Sequence, residues 1–202
     1  MISKLGTVFV LDIFDKMLKL LSKIQKMSVT YVYCNKFKSV GRNAIFNSFD
    51  VLLGGKYIEI GDNCIIGRRA VLTAWSEYCD IKYSPTIKIG SNVSIGDDCH
   101  ITCINSIYIA DNVLIGKKVT ITDNSHGDTV SSELSIPPIK RKLYSRGPVF
   151  IGENVWIGDK VTILPNVSIG SNSIIGANSV ITKDVPSCSI CVGSSARVIK
   201  KI

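Results

Sequence analysis

Aliphatic residues recur at every sixth position through most of this 202-residue chain. Ile stands at 151, 157, 163, 169, 175 and 181 without interruption. Gly follows at 152, 158, 170 and 176, and a small residue falls four after each Ile: Val155, Val161, Val167, Ser173, Ser179 and Val185. The same register runs through Ile60, Ile66 and Leu72, then Ile89, Ile95 and Ile101, then Ile109, Ile115 and Ile121. A period of six fits neither an α-helix nor a simple hairpin, but it fits a short strand plus a turn, repeated. Asp62-Asn63, Asp111-Asn112 and Glu153-Asn154 supply turn residues that tolerate unusual backbone angles. Three hexads make a triangular coil of about eighteen residues, and stacked coils bury a continuous column of Ile and Val. The predicted fold class is therefore an all-β solenoid. Cys64 and Cys99 occupy the small position of their hexads, which predicts packed apolar residues and not ligands.

Two stretches leave the period. Residues 73–86 intervene between Leu72 and Ile87 and carry Trp75, Tyr78 and Tyr83. Residues 123–148 form a longer insertion: Asp-Asn-Ser-His-Gly-Asp-Thr at 123–129, Pro137-Pro138, Lys140-Arg141-Lys142 and Arg146-Gly147-Pro148. A long loop extruded from a regular scaffold commonly carries function. The chain has two histidines, His100 and His126, and His126 lies where the repeat gives way to this loop.

The N-terminal segment is different in kind. Phe9 or Val10, Phe14, Met17, Leu18, Leu21, Ile24 and Met27 recur at three to four residues, with Asp15, Lys16, Lys19, Lys23 and Lys26 between them. That pattern predicts an amphipathic helix, packed on the solenoid or a neighbouring subunit, or laid on a membrane surface. The expected division is 1–57, helix and lead-in, and 58–202, solenoid with a C-terminal cap.

With 46% hydrophobic and 20% charged residues, the composition excludes a disordered chain. No stretch reaches the roughly 18 uncharged apolar residues of a spanning helix. The longest candidate, Leu5 to Phe14, contains Asp12, and no small-residue cleavage site follows it. Net charge is +8, of which residues 1–42 contribute +6 (eight Lys/Arg, two Asp/Glu) and the rest +2 (sixteen, fourteen). The basic excess is thus N-terminal, suited to an anionic membrane surface or to solvent. No nucleic-acid-binding motif accompanies it, so no nucleic-acid partner is expected. Seven Cys at irregular spacing point to a reducing cytoplasm. Cys188-x-x-Cys191 lacks a second Cys/His pair, and no metal site is expected.

An aliphatic residue, Gly, two variable residues and a small one, repeated, resembles the hexapeptide-repeat acyltransferases over roughly residues 58–202. The resemblance implies a left-handed parallel β-helix, a handedness that the spacing itself does not show. Galactoside and maltose O-acetyltransferases are similar through Ile109-Ala-Asp-Asn-Val-Leu-Ile115 and onward, and their catalytic His falls on His126. The resemblance thereby implies acetyl-CoA as co-substrate and His126 as general base. Attack would be direct, because Cys99 and Cys103 read as packing residues and no acyl-accepting nucleophile stands out. The oxyanion donor is not named by the sequence. His100, last in the hexad starting at Ile95, should point outward, and with Asn124 it is a candidate for the acceptor site.

The donor side resembles the family through Val155 to Pro165, Ile175 to Pro186 and Gly193 to Lys200. In the family these segments line a coenzyme A groove between coils of adjacent subunits, which implies a homotrimer. By position, the cofactor contacts are Asp159, Ala177, Thr182, Lys183 and Lys200. Lys183, Arg197 and Lys200 would neutralise phosphates. Asp159 replaces a small polar residue of the family.

The acceptor side departs from the galactoside enzymes. Their sugar-contacting Asn falls on Gly96 and an acidic contact on Ile104, so their specificity does not carry over. Asp-Asn-Ser-His-Gly and the later Arg-Gly-Pro are more like O-acetyltransferases of bacterial capsule, O-antigen and exopolysaccharide synthesis. The expected acceptor is a sugar, nucleotide-sugar or oligosaccharide hydroxyl, acetylated in the cytoplasm or at the inner face of the membrane. The basic run 140–142 would suit an anionic acceptor or simply be solvated. The alternatives are a xenobiotic-type acetyltransferase for an amine or antibiotic hydroxyl, and a non-enzymatic binding solenoid. A zinc carbonic anhydrase of this fold needs three His ligands, which two His per chain do not match.

Overall fold

The computed structural model describes residues 4–128 and 131–202. Its body is a triangular prism of parallel strands, most only two to five residues long, stacked coil on coil. The first face holds Ser39–Val40, Ile58–Ile60, Thr86–Ile89, Ser106–Ile109, Val149–Ile151 and Ser168–Ile169. The second holds Ile45–Phe46, Ile65–Ile66, Ser94–Ile95, Leu114–Ile115, Trp156–Ile157, Ile174–Ile175 and Ser189–Val192. Phe49–Leu53, Ala70–Ala74, His100–Cys103, Thr120–Thr122, Thr162–Ile163 and Val180–Ile181 make the third. The architecture is the left-handed parallel β-helix that the repeat and its resemblance imply.

The corners explain the period. Between the first and second faces, Asn43, Asn63, Asn92, Asn112, Asn154 and Asn172 adopt left-handed backbone, with φ between 57° and 61°. Asn tolerates this region because its short amide can hydrogen-bond locally. The amides also chain along the prism: Asn43 to Asn63, Asn63 to Asn92 and Asn92 to Asn112, each Nδ2 donating to the next Oδ1 at 3.0–3.1 Å. The first four coils are thereby tied together by side chains as well as by strand pairing.

Inside, the sixth-position residues form three buried columns, all essentially without solvent contact. Cys64 and Cys99 are buried among them, and burial pushes both thiols up, Cys99 to about 11. The seven cysteines are unpaired; Cys191 is buried and Cys188 is only partly so.

The solenoid starts at Ser39, inside the stretch that the Ile period alone leaves as lead-in. Val40, Phe46 and Leu52 align with Ile60, Ile66 and Leu72, so residues 39–53 are a first coil. Larger residues serve here because this coil meets a cap. Helix α1, Lys4–Cys34, brings Tyr33 and Val29 against Phe37, Phe46 and Phe49, with ring centroids 4.8–5.9 Å apart. The Phe46 backbone N–H donates to Thr30 Oγ1 at 2.9 Å. Only the last turns of α1 dock; Ile13, Phe14, Met17, Leu18, Leu20, Leu21, Ile24 and Met27 are exposed. The side chains of Phe9 and Val10 lie outside the described ones. Among the described residues no helix is long and apolar enough to cross a membrane.

The amide ladder makes a measurable claim. Asn92→Ala removes two ladder hydrogen bonds and a residue suited to positive φ, which should cost about 1–3 kcal/mol. Asn92→Gly should recover the backbone part, so thermal unfolding followed by circular dichroism should rank wild type, then Gly, then Ala. Equal midpoints for all three would remove the ladder as a source of stability.

Candidate functional site

The chain leaves the third face at Asp123, a carboxylate with no solvent exposure. A buried carboxylate is costly unless its oxygens are hydrogen-bonded. Here Oδ1 accepts from the Ile104 N–H at 2.9 Å and from Asn124 Nδ2 at 3.0 Å, while Oδ2 accepts from the Asn105 N–H at 2.8 Å and the Cys103 thiol at 3.1 Å. Burial, then the facing carboxylate, push the Cys103 thiol far above its ordinary range. Cys103 is thus a donor to a structural anion, which fits its reading as packing and not as an acyl acceptor.

Asp123 also orients the residue after it. Asn124 Nδ2 donates to the Thr102 carbonyl at 3.3 Å as well as to Asp123, so both amide hydrogens are committed and Oδ1 is left as the free acceptor. Ser125–His126 then pairs antiparallel with Leu143–Tyr144. Gly127 closes the turn at φ +81°, where a Cβ would lie 2.8 Å from both Arg141 Cδ and Glu133 Oε2. The loop docks on the other interruption of the repeat, a hairpin of Glu77–Tyr78 and Ile81–Lys82. Cys79 and Asp80 both have positive φ, as a two-residue primed turn requires. Tyr78 Oη donates to the Ile139 carbonyl at 2.7 Å, and Tyr83 Oη to the Leu143 carbonyl at 3.0 Å.

These two insertions and the third face enclose a cavity of about 600 Å³. His126, His100 and Asn124 all line it. The floor is two registered rows, Val71, His100, Thr120 and Thr73, Thr102, Thr122. His100 keeps solvent contact, yet its surroundings desolvate the ring enough to hold its pKa below the ordinary histidine value. Trp75, Tyr78, Val51 and Leu143 complete much of the wall. Trp75 and Tyr78 belong to the interruption at 73–86, where sequence reasoning marks the segment but gives those side chains no role.

The expected cofactor residues lie elsewhere. Asp159 and Ala177 sit at the corner between the second and third faces, and the Asp159 carboxylate accepts the Lys117 N–H at 2.8 Å. Thr182 and Lys183 follow the last strand of the third face, with Thr182 Oγ1 2.8 Å from Ser195 Oγ. Arg197 and Lys200 are on the C-terminal strand, antiparallel to Ser189–Val192. All six are exposed, and none lines the cavity. The basic run at 140–142 is also away from it: Arg141 donates to the Ile136 and Leu134 carbonyls, and Lys142 pairs with Glu133 at 3.6 Å. Among the described residues no cluster of three or more His, Cys, Asp or Glu could hold a metal ion.

Comparison with known proteins agrees with the repeat and the fold. Residues 148–183 match the family described as bacterial transferase hexapeptide (six repeats), and residues 57–73 match the hexapeptide repeat of succinyl-transferase. WbbJ of Escherichia coli (strain K12), named for O-acetyl transfer in lipopolysaccharide biosynthesis, is 42% identical over 120 residues. That match covers 57% of this chain and 60% of WbbJ, less than two thirds of its length. A solved maltose O-acetyltransferase from Clostridium difficile 630 is 36% identical, covers 68% of each chain and has a TM-score of 0.52. AntD, an N-acyltransferase from Bacillus cereus solved with dTDP-4-amino-4,6-dideoxyglucose and coenzyme A, has a TM-score of 0.70. At 23% identity over 85% of this chain and 87% of its own, AntD supports the fold alone. Repeat, prism and relatives agree, and the chain belongs to the hexapeptide-repeat acyltransferases.

Proposed function

We propose that this protein is an acetyl-CoA-dependent O-acetyltransferase acting on a sugar hydroxyl in bacterial surface polysaccharide synthesis. The observation that carries the reading is the convergence of His126, His100 and Asn124, separated by up to 26 positions, on one cavity of a hexapeptide solenoid. The likeness to WbbJ and to the maltose enzyme supports the reaction class and the kind of acceptor.

In this reading the acceptor hydroxyl attacks the thioester carbonyl directly. His126 takes the hydroxyl proton as the new C–O bond forms. The tetrahedral intermediate then collapses, the C–S bond breaks, and the imidazolium returns its proton to the departing thiolate. Imidazole suits this because it accepts and releases a proton near neutral pH. Asn124 presents Oδ1, so it serves to accept a hydrogen bond from the acceptor and not to hold the oxyanion. His100, whose pKa desolvation pushes down, can likewise contact an acceptor hydroxyl.

Coenzyme A would run along the C-terminal coils past Asp159, Ala177 and Thr182. Lys183, Arg197 and Lys200 pair with no acid among the described residues, which leaves three cations for its phosphates. The groove needs a second wall, and a homotrimer supplies one. The outward residues of the second face support that assembly: Ile45, Ile65, Ser94, Leu114, Trp156, Ile174 and Ile190 are in register, mostly apolar, with Leu114 50% and Trp156 52% exposed. A contiguous exposed apolar ladder marks an interaction surface. The work is placed in the cytoplasm, where the thiols stay reduced. Helix α1 supports contact with an anionic membrane face: its exposed aliphatic side is backed by Lys23 and Lys26, with Lys16 and Lys19 paired to Asp12 and Asp15.

Three outcomes test these points. His126→Ala should cut acceptor-dependent thiol release from acetyl-CoA about 10²–10⁴-fold with little change in coenzyme A affinity. Unchanged turnover would remove His126 as the base. Leu114→Glu, at an exposed position, should yield folded monomers where wild type gives trimers by light scattering; a trimeric variant would place the interface elsewhere. Vesicles containing phosphatidylglycerol should co-sediment wild type but not Leu20→Glu/Ile24→Glu. Equal binding by both, or by neither, would reject α1 as a membrane contact.

A further inference from the structure

We propose that the cavity selects an uncharged sugar ring, stacked by its C–H face on the indole of Trp75. This rests on the sugar O-acetyltransferase reading and specifies its acceptor. Trp75 is half-buried and lines the cavity. Its ring meets Tyr78 edge-on at 5.7 Å, and Tyr78 meets His126 at 5.5 Å. The aromatic row therefore leads from an open indole to the imidazole proposed as base. Tyr78 is fixed in that row by its hydrogen bond to the Ile139 carbonyl, so the wall is held by both insertions at once.

The rest of the lining matches a neutral ring with an apolar face and a polar rim. Val51, Val71 and Leu143 supply apolar contact, and Thr102 and Thr120 supply hydroxyls that both donate and accept. Thr73 is only 4% exposed, and its Oγ1 has no hydrogen-bond partner among the described residues. That oxygen is itself shut off from solvent, so Thr73 closes the floor without offering a hydroxyl to a ligand. No Lys, Arg, Asp or Glu among the described residues lines it. A carboxylated sugar would bring a charge into the cavity without a counter-ion, which is strongly disfavoured. Lys142 and Arg141 offer no remedy, because each is engaged within its own loop. At about 600 Å³ the space suits one ring and its substituents. A phosphate or lipid attached to that ring would lie outside.

Two readouts separate this inference from the transferase reading. The chain has two tryptophans, so Trp156→Phe leaves Trp75 as the sole indole reporter. In that background, methyl glucoside, methyl rhamnoside and N-acetylglucosamine should quench fluorescence saturably, also with His126→Ala added. Glucuronate and N-acetylneuraminic acid should not. In thiol-release kinetics, Trp75→Ala should raise the KM for the neutral acceptor about tenfold with kcat nearly unchanged, and Trp75→Phe should restore most of it. Quenching without any wild-type thiol release would sink the transferase reading and leave the sugar site standing. Thiol release without quenching, quenching by acidic sugars as strong as by neutral ones, or a Trp75→Ala defect confined to kcat would overturn the inference.

Discussion

Every coil of this prism must turn a corner within a few residues while its strands stay paired to the coils above and below. That constraint shapes the sequence more than core packing does. The corner residue takes positive φ: Asn at the corner between the first and second faces, and Arg69, Asp98, Lys118, Lys160 and Asn178 at the next. Where Gly follows an inward Ile, it approaches the next coil closely: a Cβ on Gly96 would lie 2.5 Å from the Gly116 carbonyl oxygen. Strands shortened to two residues leave one inward and one outward position per face. The outward positions line up as ladders, so side chains from successive coils stand beside one another. The second face is an apolar ladder, whereas the third carries Val71, His100 and Thr120.

A ladder cannot build a concave site by itself, and the two interruptions supply the depth. Leaving the stack strands backbone donors of the coil below, here the N–H groups of Ile104 and Asn105. The Asp123 carboxylate takes both, together with the Cys103 thiol. One buried anion thus seals the opened edge and also orients Asn124, two residues before His126. The seal and the positioning of the site are the same set of hydrogen bonds. A change at Asp123 would therefore act on stability and on catalysis together, unlike a change at Trp75, which meets the loop through Tyr78.

Legibility in the sequence tracks periodicity. The Ile register, its two interruptions and the place of His126 are plain, because each is a local count. The first coil escapes that count, although Val40, Phe46 and Leu52 keep the spacing of six; Phe in place of Ile hides the register, and the helix cap is the physical reason for the Phe. His100 is readable as outward but not as a neighbour of His126, since that depends on which coil faces the loop. Trp75 and Tyr78 carry a visible signal, aromatic residues clustered in a break of the repeat, yet their role depends on the docking of one insertion on the other. The cofactor residues come from resemblance alone, and in the protomer they lie along the C-terminal coils, away from the cavity.

The charge distribution gives these parts a common logic. Net positive charge concentrates at the two ends of the prism: residues 1–42 carry +6 and residues 183–202 carry +3, while residues 43–182 carry −1. The cavity between them is lined by no ionised side chain among the described residues. Proton transfer through a histidine is sensitive to neighbouring charge: a nearby cation suppresses imidazolium, and a nearby anion traps it. In the proposed mechanism, a wall without ionised side chains adds no charge that would favour one protonation state of a histidine. Anions that must be held, such as coenzyme A phosphates or a lipid headgroup, are then best recognised at the ends. Affinity for charge and the handling of a proton make opposite demands, and a stacked prism can meet both by keeping them coils apart.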